Sequence, residues 1–421
     1  MQQPLSSRPR YSGTEPVELP ILRSGDGFQL LSGTRVLDLT TSVAGPYAAM
    51  LLGDMGAEVI KVERPGAGDD ARAWGPPFID GESLWYVAVN RNKHSIALDY
   101  AKEPGRALLA ELIKASDVMV VNLLPRIQKK LGLDAAACKA LRPDLVHVSI
   151  TGFGLEGKRS NWTCYDLIAE GYSGVMDITG EIDGAPQKIG TPAADMLAGS
   201  DAAFAAVSAL FDRTRTGRGH TVDVALVDSM TKFLTCRIVP FLASQELPRR
   251  SGGKDSVIAI YQAFETADSP ITLGLGNDAI WERFWTAVGK PQIAREAGYN
   301  SNRNRREHRG EIVELIQSIL RCKPRDYWLA LFNNARVPAG PIYRIDEVTR
   351  DDELRNRGLF YTLDAEGRQL PQVGTGFQVD GKANVARMPP PKLGASTDKV
   401  LRNVLKLNET EIENLHRGGI I

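Results

Sequence analysis

The chain has 421 residues, 43% hydrophobic and 24% charged, which is ample for large cores and more than the ~100–200 residues usual for one domain, so two structural domains are expected. Its 51 Lys and Arg balance its 51 Asp and Glu. A net charge of zero excludes the overall positive charge that marks most binders of nucleic acid or membrane surfaces, so neither partner is expected and any anion must meet local charges.

Residues 1–30 are polar and Pro-containing, with no long apolar run, and read as an extended N-terminal extension rather than a secretory signal or membrane span; Arg8 and Arg10 read as solvated charges. "RVLDLT" (35–40) reads as a strand, "GPYAAMLLGDMG" (45–56) as a helix with Pro46 near its first turn, and "AEVIKVE" (57–63) as a second strand, which makes a βαβ unit. The alternation continues through "SIALDY", the helical "PGRALLAELIKAS", "VMVVNL", a helix to about Ala140 and "LVHVSITGF". This rhythm predicts an α/β fold with a doubly wound, Rossmann-like parallel sheet.

"GTPAADMLAGSDAAFAAVSALF" (190–211) reads as a helix entered from a loop, with Asp195 near its start; a basic turn, the strand "HTVDVAL" and another helix follow. The large α/β domain is expected over 31–228, completed by 385–421. Residues 229–239 read as a linker to a smaller α+β domain, 240–345, which holds the strand "PITLGLG" and the helices "NDAIWERFWTAVG" and "RGEIVELIQSILRC". Trp281 and Trp285, at i, i+4, are expected to pack. The Pro/Gly-punctuated 346–384 reads as a second linker, and "VPAGPIY" as a rigid turn. The helical tail, with Ser396 or Thr397 as its cap, is expected to pack back on the N-terminal layer.

Cys138, Cys164, Cys236 and Cys322 form no CxxC pair and no Cys/His cluster, which points to reduced thiols, no metal site and a cytoplasmic setting, with a mitochondrial matrix left open. His94, His147, His220, His308 and His416 show no metal spacing and read as surface or turn residues.

Ligands of a doubly wound sheet lie beyond the carboxyl ends of its strands. There "TTSVAGPYA" (40–48) offers Ser42, Ala44 and Gly45, small enough for close approach, without a GxGxxG pattern. Glu63 is followed at once by Arg64, and "ERPGAGDDAR" offers Arg64 and Arg72 to an anion; either reads equally well as a solvated loop arginine. Asn122 ends a strand and is followed by Arg126, Lys129 and Lys130, which suit a phosphate-bearing ligand or a solvated helix face. Asp195 alone fits a helix-dipole or capping role.

From about Leu31 to the C-terminus the chain resembles the family III CoA-transferases, the formyl-CoA and carnitine CoA-transferase group that also contains the 2-methylacyl-CoA racemases. The resemblance is carried, in order, by "RVLDLTTSVAGPYAAMLLGDMGAEVIKVERPGAGD", "NRNKHSIALD", "YDLIAEGYSGVMDITG", "DRTRTGRGHTVDVALVDSM", "GLGNDAIWERF", "VPAGPIY" and "LGASTDKVL". It implies a ring-like chain in an interlocked homodimer, acyl-CoA and carboxylic acids as substrates, and no prosthetic group. It also implies a nucleophilic aspartate, which by position in "PAADMLAG" is Asp195. A carboxylate can attack a thioester, and the resulting anhydride can pass CoA to the enzyme as an aspartyl thioester. The family pattern places Ser42, Val43, Ala44, Arg64 and Asn122 along CoA, with Lys130 where formyl-CoA transferase has arginine; Arg72, offered by its own loop, is counted with them as a CoA contact. A glycine loop covers the intermediate in the transferases, and the matching "RRSGGKDS" makes Gly252 and Gly253 the candidates.

The racemases exchange a proton at C2 with a His/Asp pair, the histidine standing in "GHD". Here "CYD" stands in its place, so the histidine becomes Tyr165, a hydrogen-bond donor rather than a base at neutral pH. Transfer of CoA through Asp195 is therefore the expected activity; C2 epimerisation and non-catalytic acyl-CoA binding are the alternatives. Succinyl-CoA and a small dicarboxylate are the expected substrates, because many relatives use them, with Arg72, Lys188 or Arg237 free to pair a distal carboxylate.

Overall fold

The computed structural model describes residues 17–22, 25, 27–365 and 367–421; Arg8, Arg10 and most of the expected N-terminal extension lie outside them. Contacts divide the described chain into two compact units, a larger one of 18–175, 188–236 and 351–421 and a smaller one built on 176–187 and 237–350.

The larger unit is centred on six parallel strands, β1 (Arg35–Leu39), β2 (Glu58–Glu63), β3 (Lys93–Ala97), β4 (Val118–Val121), β5 (Val146–Thr151) and β6 (Thr221–Ala225), in the order β3-β2-β1-β4-β5-β6. Strand β4, "VMVV", is buried throughout, as a parallel strand covered on both faces must be. One face packs Leu37, Leu39, Ile60, Met119 and Val121 against Leu109, Leu112 and Ile113 of the Glu103–Lys114 helix and against Val400 and Ile420 of the tail. The tail is tied to the sheet by Asp99 N–H donating to Ile420 O at 2.8 Å. Neither expected cap acts as one: Ser396 makes no side-chain cap, while Thr397 Oγ1 accepts from Ala97 N–H at 3.0 Å and so fastens the tail to β3.

The opposite face carries the elements that position the site: α1 (Ala44–Asp54), α2 (Asp166–Ser173), α3 (Ala193–Thr216) and α4 (Leu226–Phe233). Helix α3 presents Ala194, Ala198, Gly199, Ala202 and Ala206 as its buried stripe. That stripe lets its backbone approach α1 so closely that a Cβ on Gly199 would stand 2.7 Å from Ala44 O.

Residues 351–384 do not link domains. Phe360–Ala365 and Arg368–Val373 form an antiparallel hairpin, extended by Ile21–Leu22 pairing parallel to it, with Tyr361, Leu363 and Leu370 buried. Pro371 is tolerated because its strand is an edge. The expected linker 229–239 is helical, running from α4 into Thr235–Ser244.

The smaller unit is a three-stranded antiparallel sheet, Tyr261–Phe264, Ile271–Gly274 and Ala339–Pro341, packed with the helices Asp278–Ala287, Arg309–Leu320 and Arg325–Asn334. Ala339–Pro341, expected as a turn, is thus an edge strand. Trp281 and Trp285 are core residues, edge to face at 5.3 Å. Among the histidines, His147 departs from expectation: it lies fully buried on β5, where its Nε2 meets Leu133 O at 2.9 Å.

Candidate active site

The strand order reverses between β1 and β4, the place where a doubly wound sheet opens a crevice at its carboxyl edge. Asn122, just past β4, clamps the loop after β1 by accepting from Thr41 N–H at 3.1 Å and donating to Thr41 O at 2.8 Å. Ser42 adopts a left-handed backbone, φ 72°, held by its N–H donating to Asp69 Oδ1 at 2.9 Å. Such a conformation in a non-glycine residue persists only where its surroundings enforce it. Gly45 is obligatory, since a Cβ there would run into the Thr40 side chain.

The enforcement comes from buried charge. Lys61 Nζ donates to Thr40 O at 2.8 Å and pairs with Asp69 Oδ2 at 2.8 Å; Lys93 Nζ reaches Asp38 Oδ2 at 2.9 Å and Pro46 O at 2.7 Å. Burial pushes Asp38 up, but the charges of Lys61 and Lys93 and the Thr40 hydrogen bond leave its carboxyl below the usual value. Burial lowers Lys93 to about 8 against the pull of Asp38. Val43 and Ala44 turn their side chains inward, and α1 begins without a side-chain cap, which leaves an uncapped helix N-terminus at the crevice.

Arg64 is exposed, at 2.7 Å from Asp70, and Lys130 is exposed on the Pro125–Leu131 helix. Arg72 is not a free anion reader. Its Nε and Nη2 grip Glu63 at 2.8 and 2.7 Å, Nη2 also meets Tyr86 Oη at 2.6 Å, and the guanidinium lies 3.7 Å over the Tyr86 ring. The other cations named for a distal carboxylate are engaged as well: Lys188 Nζ donates to Ile189 O and Arg237 pairs with Asp255 at 2.9 Å.

Asp195 is half-buried in the first turn of α3, one turn before Gly199, which packs on Ala44 and Tyr47 at the start of α1. Burial, reinforced by the charge of Asp166, pushes it up to about 7. Asp166 opens α2 and caps α3 from outside, its Oδ1 accepting from Ala194 N–H at 2.8 Å and Asp195 N–H at 3.3 Å. The first-turn N–H groups of α3 are therefore taken and do not await an oxyanion. Tyr165, the residue before α2, is 67% exposed and free to turn its hydroxyl to a ligand. Burial and Asp195 keep the Cys164 thiol neutral, at about 11, and its Cβ fills the space a side chain on Gly152 would need.

Gly252 and Gly253 belong to the smaller unit. Gly252 has φ 60°, donates to Gly180 O at 2.9 Å, and would press a Cβ to 2.6 Å from Glu181 Oε2, so this turn is anchored within its own unit. Asp166, Glu170, Lys61 and Asp69 went unassigned from sequence. The one signal was the i, i+4 acids of "DLIAE", which a solvated helix face shows equally well.

A family model described as CoA-transferase family III matches residues 31–397. The succinyl-CoA:glutarate CoA-transferase of Mus musculus is 37% identical over 404 residues, covering 94% of this chain and 91% of its own. The succinate–glutarate CoA-transferase of Agrobacterium fabrum is 39% identical over 388 residues, 90% and 97% of the two chains. A crystal structure of a CAIB/BAIF family protein from Brucella suis superposes with a TM-score of 0.78 at 35% identity, over 89% of this chain and 99% of that one.

Proposed function

The chain belongs to CoA-transferase family III, and from that premise we propose that it moves CoA from succinyl-CoA to glutarate or a similar dicarboxylate through a thioester on Asp195. The observation that supports the reading is a carboxyl poised near 7, half-buried and without a paired cation among the described residues, one turn before the α3 glycine that packs on the start of α1.

Asp195 attacks the thioester carbonyl of the donor, expels CoA thiolate and forms a mixed anhydride. The thiolate then attacks the aspartyl carbonyl, which releases succinate and leaves CoA on Asp195. The acceptor carboxylate attacks that thioester to give a second anhydride, and the thiolate attacks the acceptor's acyl carbon, restoring the free carboxylate. Tyr165 donates to the oxygen that gains charge in each addition. CoA runs along Ser42, Val43, Ala44, Arg64, Asn122 and Lys130, its phosphates toward the uncapped start of α1. A second copy completes the assembly: Phe204, Val207 and Phe211, at helical spacing on α3, are 76%, 37% and 64% exposed, an apolar face that a homodimer would cover.

The test is succinyl-CoA without acceptor, followed by borohydride and peptide mass analysis. A CoA adduct or its reduced alcohol on the Asp195 peptide supports the reading; no mark there, in a preparation that transfers CoA once glutarate is added, overturns the covalent route.

A further inference from the structure

Asp166 and Glu170 are one turn apart on α2 and hold the same stretch of chain, the segment that leads into α3. Asp166 takes the N–H groups of Ala194 and Asp195, as described above, while Glu170 Oε2 accepts from Ile189 N–H at 2.9 Å. Glu170 is fully buried, and its other oxygen, Oε1, has no hydrogen-bond partner among the described residues. A buried carboxylate oxygen with no donor is costly, and here the group feels another acid, Asp166, together with the more weakly felt positive charge of Lys188. Neighbouring carboxyl groups taken out of water relieve their repulsion by retaining a proton.

We propose that Glu170 is a neutral acid that donates its Oε1 proton to Asp166, and that it thereby acts as the positioning residue for Asp195. The arrangement accounts for every polar atom in the cluster. Oε1–H meets Asp166, Oε2 meets Ile189 N–H, and Asp166 Oδ1 caps Ala194 and Asp195. Residues 189 and 194–195, the two ends of the turn before the nucleophile, are thus fixed to one face of α2. Burial and Asp166 push Glu170 up, against the Ile189 N–H hydrogen bond and the charge of Lys188.

The inference rests on Asp195 as nucleophile, so its test has one arm that depends on that reading and one that does not. In the first, the rate of Asp195 adduct formation from succinyl-CoA is measured for wild type, Glu170→Ala and Glu170→Gln. Alanine is expected to slow the step by about 10–100-fold, since loss of fixed geometry acts on the reacting step, with KM for succinyl-CoA within about threefold. Glutamine keeps an uncharged donor toward Asp166 and an acceptor for Ile189, and is expected to restore most of the lost rate. An unchanged rate in Glu170→Ala overturns the positioning role, and a folded Glu170→Gln as slow as alanine overturns the neutral acid.

In the second arm, infrared spectra compare Asp195→Asn with the Asp195→Asn, Glu170→Gln double variant. Loss of a buried protonated-carboxyl C=O band in the double variant supports the proposal; identical spectra overturn it. This arm decides the proton on Glu170 even if the alanine variant fails to fold. A wild-type protein that forms no adduct would sink the nucleophile reading, while the infrared comparison still judged Glu170.

Discussion

Two groups of buried acids in the larger unit follow opposite electrostatic plans. Beneath the loop after β1, Asp38 and Asp69 each have a buried lysine within 3 Å, and the balance leaves Asp38 ionised. Around Asp195, three acids gather without an ion pair among the described residues: burial and Asp166 raise Asp195, and burial raises Glu170 although Lys188 pulls it down. The balanced group holds a strained backbone in place. The unbalanced one retains a carboxyl of altered reactivity, since a group poised near the working pH can serve chemistry that an ordinary carboxylate serves poorly. The difference teaches that burial alone does not set a carboxyl's pKa; the presence or absence of a paired cation decides its direction.

Removing a member of each group tests the contrast. Asp195→Asn is expected to lower CoA transfer by about 10⁴-fold or more, as loss of a covalent nucleophile does, with acyl-CoA affinity held within a few-fold in a direct binding measurement. Lys61→Met should act in the reverse sense, chiefly on the fold. It leaves Asp69 without its cation and Asp38 with one fewer, and is expected to cost about 3–5 kcal/mol in urea denaturation. A loss below about 1 kcal/mol would mean that the buried lysine does not balance this region, and the comparison would fail.

The sequence showed the sheet readily because its strands are short apolar runs separated by amphipathic helices, and local pattern decides those. Asp195 was legible only through resemblance, since an acid in a first helical turn is ordinary. Arg72 was misread because its partner Glu63 lies nine residues earlier, and only the folding back of the intervening loop brings the two together. Glu170 sits on a short helix whose polar spacing suits solvent, and its burial is imposed by the packing of α2 on α3 and α4. The short strands and Pro/Gly punctuation of 346–384 suited a linker, and nothing local announces that two of those strands, 360–365 and 368–373, pair as a hairpin with a buried face.

A smaller effect tests how the two regions are joined. Gly199→Ala would place its Cβ 2.7 Å from Ala44 O and 2.9 Å from Tyr47, forcing α3 away from α1. The expected cost is about 1–3 kcal/mol in thermal or urea unfolding. Because Ala44 follows Ser42 on the loop, CoA affinity should fall in the same variant. Lost stability with unchanged CoA affinity would show that α3 packing and the loop after β1 are independent.

The subtlest prediction concerns the pH dependence of stability, where the two groups should differ in sign. Asp195 has a folded-state pKa of about 7 against an ordinary 3.8. Below about pH 4 it is protonated in both folded and unfolded chains and contributes no pH-dependent difference. Between about pH 4 and 7 the unfolded chain ionises it while the folded chain keeps the proton, so wild type loses stability as pH rises; above 7 the penalty is constant. The full shift corresponds to about 4 kcal/mol at ~1.36 kcal/mol per pKa unit, and partial exposure reduces the expectation to about 1–2 kcal/mol. Asp195→Asn should therefore be more stable than wild type at pH 8, with that advantage gone at pH 3.5. Asp38→Asn should show the reverse, because a carboxyl held below its usual value stabilises the fold at pH 8 and ceases to do so as pH falls through its folded value. Parallel pH dependence in the two variants would erase the distinction between balanced and unbalanced acids; opposite dependence would trace Asp195's reactivity to the counter-charge its surroundings lack.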